Sequence, residues 1–296
     1  MPSTQELLAK TSRTFALAIP FLPDPTQTTV RLAYLLFRVA DTLEDAEAWP
    51  RHRRMEGLAQ FAELLHAPSA TAAQHLSQDW LVSAPTSNAA YLELLAELPQ
   101  ILTELAALEA GARQIVVLHA IRTSEGMRKI LAQSDEQGRL SITTLKKLRS
   151  YCYVVAGIVG ELLTELFVHD APALAAVGRT LRANERAFGE GLQLVNILKD
   201  EKVDAEAGRT YMPRGLARQA VVRLAWADLR RARLYVAALK RGGAPSGFFL
   251  FTALAAELAH ATMAKLESAG AGAKIARDEV FAILARVQRA SFTATS

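Results

Sequence analysis

Apolar residues return along this chain every three or four positions, the period of a helix packed on one face, and alternating β-branched runs are scarce. The pattern predicts an all-α protein. Pro20, Pro23 and Pro25 break the chain, and a helix then runs from Thr26, a plausible cap, to Trp49-Pro50. Further helices are predicted over 91–110, 113–133, 143–168, the stretch after Phe188, 216–240, 246–268 and 274–290. Residues 66–90 are rich in Ala, Ser, Thr and Pro and lack a clear period, which predicts a loop with short helical pieces. No internal repeat and no linker divides the sequence, so a single domain over 1–296 is expected.

Three of these helices carry more than a core pattern. In 188–213, Gln193, Asn196, Asp200 and Asp204 follow at steps of three, four and four, which puts them on one face. Leu192, Leu194, Val195, Ile197 and Leu198 fill the rest of the circumference, as in a buried helix. Buried carboxylates need compensation, from Lys199, Lys202 and Arg209 or from a metal ion. In the first long helix Tyr34, Arg38, Asp41 and Asp45 share a face in the same way, and Glu44 either joins them on a metal or solvates the helix edge. Oxygen-only ligand sets of this kind suit Mg²⁺. In 143–168, Gly157 and Gly160 each cost about 1 kcal/mol against alanine inside a helix. Either close helix packing or room for a ligand has to offset that.

These segments resemble a known family. DTLED at 41–45, YCYVVAGIVG at 151–160 and LQLVNILKDEKVD at 192–204 are similar to the three signatures of the squalene/phytoene synthases, and SRTF at 12–15 and GRTYMP at 208–213 to two further family segments. The match keeps the family's order from about residue 10 to 215. It implies a helical bundle of the isoprenoid synthase type with a central cavity, and an enzyme that joins two prenyl diphosphates head to head. It further implies about two to three Mg²⁺ ions held by Asp41, Glu44, Asp45, Asn196, Asp200 and Asp204, the two acidic pairs facing each other across the top of the cavity. Arg38, Arg209 and Arg13, with Ser12 and Tyr211, then meet the diphosphates. Gln193 and Asn196 line the reacting centre, Tyr151 or Tyr34 serves the cation, and Gly157 and Gly160 make room for a prenyl tail. Basic residues of the C-terminal helices, Lys274 and Arg277, are expected over the site.

The expected product is squalene or a related C30 compound from two farnesyl diphosphates, with NADPH as a cofactor if it is reduced. Alternatives are a phytoene-type reaction on geranylgeranyl diphosphate, or an inactive relative used for assembly or binding. All four aspartates stand, which speaks against the inactive relative. A head-to-tail synthase or terpene cyclase would not explain YCYVVAG beside NILKDEKVD.

Composition narrows the rest. Half of the 296 residues are hydrophobic, and 34 basic against 30 acidic residues leave a net charge of only +4. That excess is too small to argue for nucleic acid, but it fits anionic substrates or an anionic membrane surface. Cys152 is the single cysteine and reads as a small buried residue. No signal peptide is expected. Apolar runs such as FFLFTALAA fall short of the ~20 residues of a spanning helix, so the expectation is a cytoplasmic protein, at most peripheral to a membrane that receives its product. It is expected to be a monomer or homodimer. The charged run Arg51, His52, Arg53, Arg54 reads as a solvated face.

Overall fold

A computed structural model describes residues 2–12, 14–206, 210–213, 215 and 217–292. Among them the protein is all-α, with no strand; one isolated parallel bridge joins Ser141 to Thr210. The chain divides into two compact units, Met1–Ile19 with Asp24–Leu140, and Pro20–Pro23 with Ser141–Ser296.

The first unit holds α1 (Thr4–Thr11), α2 (Thr14–Ala18), α3 (Thr26–Glu44), α4 (Arg51–His66), α5 (Ala70–Val82), α6 (Ala89–Ala96), α7 (Leu98–Ala106) and α8 (Ala110–Leu131). Its centre is α3, whose Leu32, Leu35, Leu36, Val39 and Leu43 are fully buried, with α8 and α1 packed against it. Thr26 is the first residue of α3; Pro25 takes the cap position without a side-chain bond, so Thr26 is not the cap. Residues 70–82 form a complete helix. Ser69 caps it by accepting from the Ala72 amide (3.3 Å), and Ser77 donates to the Leu95 carbonyl (2.7 Å). Small Ala, Ser and Thr side chains give little hydropathy contrast, which hid its period. The helix expected over 91–110 is two helices, α7 restarting at Leu98 with Pro99 in its first turn.

The charged run at the start of α4 is not simply a solvated face. Arg54 is buried and donates from Nε to the Trp49 carbonyl (3.1 Å), while Arg51 donates from Nη1 to the Ser134 carbonyl (2.7 Å). Gly138, at φ +75°, gives Arg54 its room: a Cβ there would stand 2.8 Å from Nη1.

The second unit holds α9 (Leu145–Cys152), a π turn (Tyr153–Gly157), α10 (Ile158–Asp170), α11 (Gly178–Glu206), α12 (Arg218–Arg241), α13 (Ser246–Ala269) and α14 (Arg277–Phe292). Phe167 stacks on Phe248 (4.2 Å between centroids) and meets Phe251 edge-on; Phe188 lies against Tyr235 (5.2 Å). Thr164 donates to the buried Tyr235 hydroxyl (3.0 Å). Leu145–Asp170 and Ser246–Ala269 are long and apolar enough to cross a membrane by length and composition. This corrects the reading of uninterrupted runs, which ignored neutral residues between shorter apolar stretches. More than half of each apolar window is buried inside the protein, as in a core helix.

The predicted helix over 143–168 is interrupted by the π turn, where the Ile158 amide donates to the Tyr153 carbonyl five residues back. Here the packing alternative for the glycines is realised. A Cβ on Gly160 would stand 1.9 Å from the Glu185 carbonyl oxygen, and one on Gly189 would stand 1.9 Å from that of Ala156. At Gly157 it would meet the Tyr153 ring at 2.8 Å and Glu190 Oε1 at 3.2 Å. So α10 and its π turn touch α11 backbone to backbone. Gly160→Ala is expected to lower unfolding stability by about 1–3 kcal/mol or more, seen as a lower urea midpoint at unchanged m. A change below about 0.5 kcal/mol would contradict this contact.

Candidate active site

On the last turns of α3 the chain gathers Tyr34, Arg38, Asp41, Glu44 and Asp45. Tyr34 donates its hydroxyl proton to the Thr11 carbonyl (2.8 Å) and accepts from Arg38 Nε and Nη2 (3.3 and 3.2 Å). Arg38 lies over the Tyr34 and Tyr91 rings and pairs through Nη1 with Asp41 Oδ2 (3.1 Å). The tyrosine is thus the support on which the arginine is aimed. Ser12 closes α1 and accepts from the Phe15 amide (3.0 Å), which starts α2. Arg13 lies outside the described residues.

Three carboxylates at this end stand against the helix dipole, whose C-terminus is negative, and the last turn of α3 holds no basic residue. Burial pushes the half-buried Asp41 up to about 6, opposed by Arg38 and reinforced by Asp45. Burial, with Asp45 and Asp41 beside it, raises Glu44 well above the usual range, and Arg54 from α4 opposes that shift. The group stores unfavourable negative charge that a cation would relieve.

On α11, Gln193 is half-buried and Asn196 exposed, so these two are not a buried polar pair. Lys199 Nζ reaches both Asn196 Oδ1 and Asp200 Oδ2, each at 3.2 Å, which realises the lysine side of the alternatives for Asp200. Asp204 lines a cavity of about 110 Å³ with Ile197, Glu201, Thr210, Tyr211 and Met212. Arg209 lies outside the described residues. The Gly272 amide donates to the Lys199 carbonyl (3.1 Å), which brings the loop that carries exposed Lys274 against the aspartate helix.

Tyr151 stands in the last turn of α9 before the π turn, is buried, and stacks on Tyr211 (centroids 4.8 Å apart, 27° between planes). Cys152 next to it is fully buried, and burial first of all pushes its thiol up, which makes it inert. Sequence reasoning missed two features here: Arg54 behind Glu44, and an ion cluster of Arg149, Glu190 and Asp228 described below. Both arginines stand in basic runs, which ordinarily mark solvated faces.

Among the described residues no three Asp, Glu, His or Cys side chains converge into a ready-made metal cage. The residues nonetheless fit Mg²⁺, which takes one or two carboxylates and completes its shell with water and substrate phosphates. Asp41, with Glu44 and Asp45, offers such carboxylates where negative charge is already in excess.

The sequence model of the family described as Squalene/phytoene synthase matches residues 8–221. The squalene synthase of Schizosaccharomyces pombe is 28% identical over 212 residues, 71% of this chain and 43% of that one. That of Yarrowia lipolytica is 30% identical over 213 residues, 71% and 44% of the two chains. This chain therefore spans less than half the length of these curated relatives. Among solved structures, a TcSQS complex with a ligand superposes with a TM-score of 0.76 at 22% identity, covering 98% of this chain and 87% of that one. A dehydrosqualene synthase complex gives 0.64 at 20% identity, covering 98% and 95%. At those identities the likeness is one of fold.

A carboxyl whose folded value lies above its ordinary 3.8 costs stability once it ionises, and that cost disappears as pH falls below about 4. Asp41→Asn removes the charge and keeps an acceptor for Arg38. The metal-free variant is expected to melt higher than wild type at pH 8 and to lose that advantage near pH 4. A lower melting temperature at pH 8 would contradict the excess charge.

Proposed function

The chain belongs to the squalene/phytoene synthase family, and on that premise we propose that it condenses two prenyl diphosphates head to head, as one catalytic domain. Farnesyl diphosphate is the substrate proposed, and squalene or a related C30 compound the product. The observation that carries the reading is the acidic end of α3, with its supported arginine and excess negative charge, in a chain that keeps the family segments in order.

Mg²⁺ at Asp41, Glu44 and Asp45, and at Asn196, Asp200 and Asp204, would neutralise the diphosphate as it leaves. Arg38, already aimed by Tyr34, donates charge-assisted hydrogen bonds to phosphate oxygens, and Arg13 and Arg209 are proposed to do the same. Ser12 and Tyr211 complete the diphosphate contacts. Departure of one diphosphate leaves an allylic cation, which the 2,3 double bond of the second substrate attacks; loss of a proton gives a cyclopropylcarbinyl diphosphate. A second departure would allow rearrangement to a 1–1′ linked cation, which is quenched by loss of a proton or by a hydride that NADPH would supply. The rings of Tyr151 and Tyr34 and the neutral Gln193 serve a cation that water would destroy. Peripheral contact with a membrane would receive the apolar product.

Purified protein should turn over farnesyl diphosphate faster than geranylgeranyl diphosphate in the presence of Mg²⁺, with NADPH deciding between reduced and unreduced product. Asp200→Asn should cut turnover by at least ~10³, about 4 kcal/mol of transition-state stabilisation, at unchanged far-UV circular dichroism. Preference for the C20 substrate would move the reading to a phytoene-type reaction. No turnover of either would favour an assembly or binding protein.

A further inference from the structure

The second unit contains an ion cluster built on two buried acids. Arg149 of α9 reaches Glu190 Oε2 of α11 through Nη2 (2.8 Å) and Asp228 of α12 through Nη1 (3.3 Å to Oδ2 and 3.5 Å to Oδ1). The side chains of Glu190 and Asp228 are only 6% and 3% exposed, whereas that of Arg149 is 40% exposed. Burial raises both acids and Arg149 opposes the rise. A surface ion pair contributes little, but buried carboxylates need their partner. One guanidinium ties three helices together here: it donates hydrogen bonds to Asp228 and pairs by charge with Glu190, whose Oε2 is within ion-pair distance but outside hydrogen-bond geometry.

The place of the cluster gives it a task. Arg149 stands two residues before Tyr151, and Glu190 Oε1 stands 3.2 Å from where a Cβ on Gly157 would begin. On the far side of the π turn, α10 is fixed by the backbone contact at Gly160. A π turn adds a residue to the winding, so it shifts the register of the faces of α9 relative to those of α10. The glycine contacts hold α10 and the π turn against α11, and Arg149 ties α9, whose last turn carries Tyr151, to α11 and α12. Gly191 brings α11 within 3.3 Å, measured from its virtual Cβ, of the Asp228 backbone and Cβ. That close approach allows one arginine to span both acids.

We infer that Arg149, bridging Glu190 and Asp228, is a positioning residue that sets the rotation of α9 and with it the face Tyr151 presents beside Tyr211. This rests on the proposed head-to-head reaction only for its catalytic consequence; the structural part stands by itself.

The test is Arg149→Lys in the full chain, since lysine keeps the charge but serves one carboxylate as a point donor. Two readouts are taken on folded protein: the near-UV circular dichroism of the Tyr151–Tyr211 pair, calibrated by Tyr211→Leu, and the split of kcat against KM for farnesyl diphosphate. The variant is expected to lose the tyrosine-pair signal to the extent that Tyr211→Leu does. Its kcat should fall at least ~10-fold with KM within about threefold. Should Arg149→Lys not fold, Asp228→Ala, which removes one of the two carboxylates of the bridge, is read in the same way and is expected to weaken the pair signal and lower kcat. A folded Arg149→Lys with an intact pair signal and wild-type kcat would overturn the proposal, as would an intact pair signal in a folded Asp228→Ala. If wild type turns over neither substrate, the functional reading has failed, and the near-UV comparison alone decides the positioning role.

Discussion

Where α10 and its π turn meet α11, backbone lies on backbone. The carbonyls of Glu185 and Ala156 occupy the places where side chains of Gly160 and Gly189 would begin. A contact of this kind leaves α11 little freedom to rotate. Following α11 from Glu185 through Gly189, the steps lead on to Gln193, Asn196 and Asp200, one continuous helical stripe. The stripe that packs against the π turn thus runs directly into the polar stripe. The direction of Asp200 follows from a glycine contact three turns away. The same contact explains why two glycines are tolerated in the middle of a helical segment despite their cost.

Charge is handled in two different ways. Deep in the second unit, Glu190 and Asp228 are answered within the protein by Arg149. At the end of α3, Arg38 answers Asp41 and Arg54 works against the shift of Glu44; burial raises these carboxyls as it raises Glu190 and Asp228, and here Asp45 adds a third acid. Three acids at the negative end of a helix dipole are a poor arrangement for stability alone. They suit a site completed by a ligand that brings its own cations, because the apoprotein then holds the deficit that binding relieves.

Much of this was legible in the sequence. The helical period gave the all-α class, and the spacing of Asp41 with Asp45 and of Asp200 with Asp204 gave their faces. Three things were not. The π turn leaves no mark, since one extra residue in the winding of YVVAG changes no residue type. Helix α5 was hidden by small residues of low contrast. Arg54 read as solvated and Arg149 drew no reading, because composition carries no information on which member of a basic run meets a buried partner; Gly138 and Gly191, which make the space, lie 84 and 42 residues further along the chain. Long-range complementarity of that sort is written in pairs of positions, and a single sequence does not show the pairing.

The central claim is that the acidic helix ends bind Mg²⁺ together with a diphosphate and not by themselves. Calorimetric titration with inorganic pyrophosphate, with and without Mg²⁺, tests it most directly. The account predicts weak binding of either alone, because no preformed three-ligand cage is present among the described residues, and binding tighter by at least ~10²-fold, about 2.7 kcal/mol, when both are supplied. Below about pH 6 proton release should accompany it, as Asp41 ionises. Tight binding of Mg²⁺ alone, or pyrophosphate binding indifferent to Mg²⁺, would contradict it.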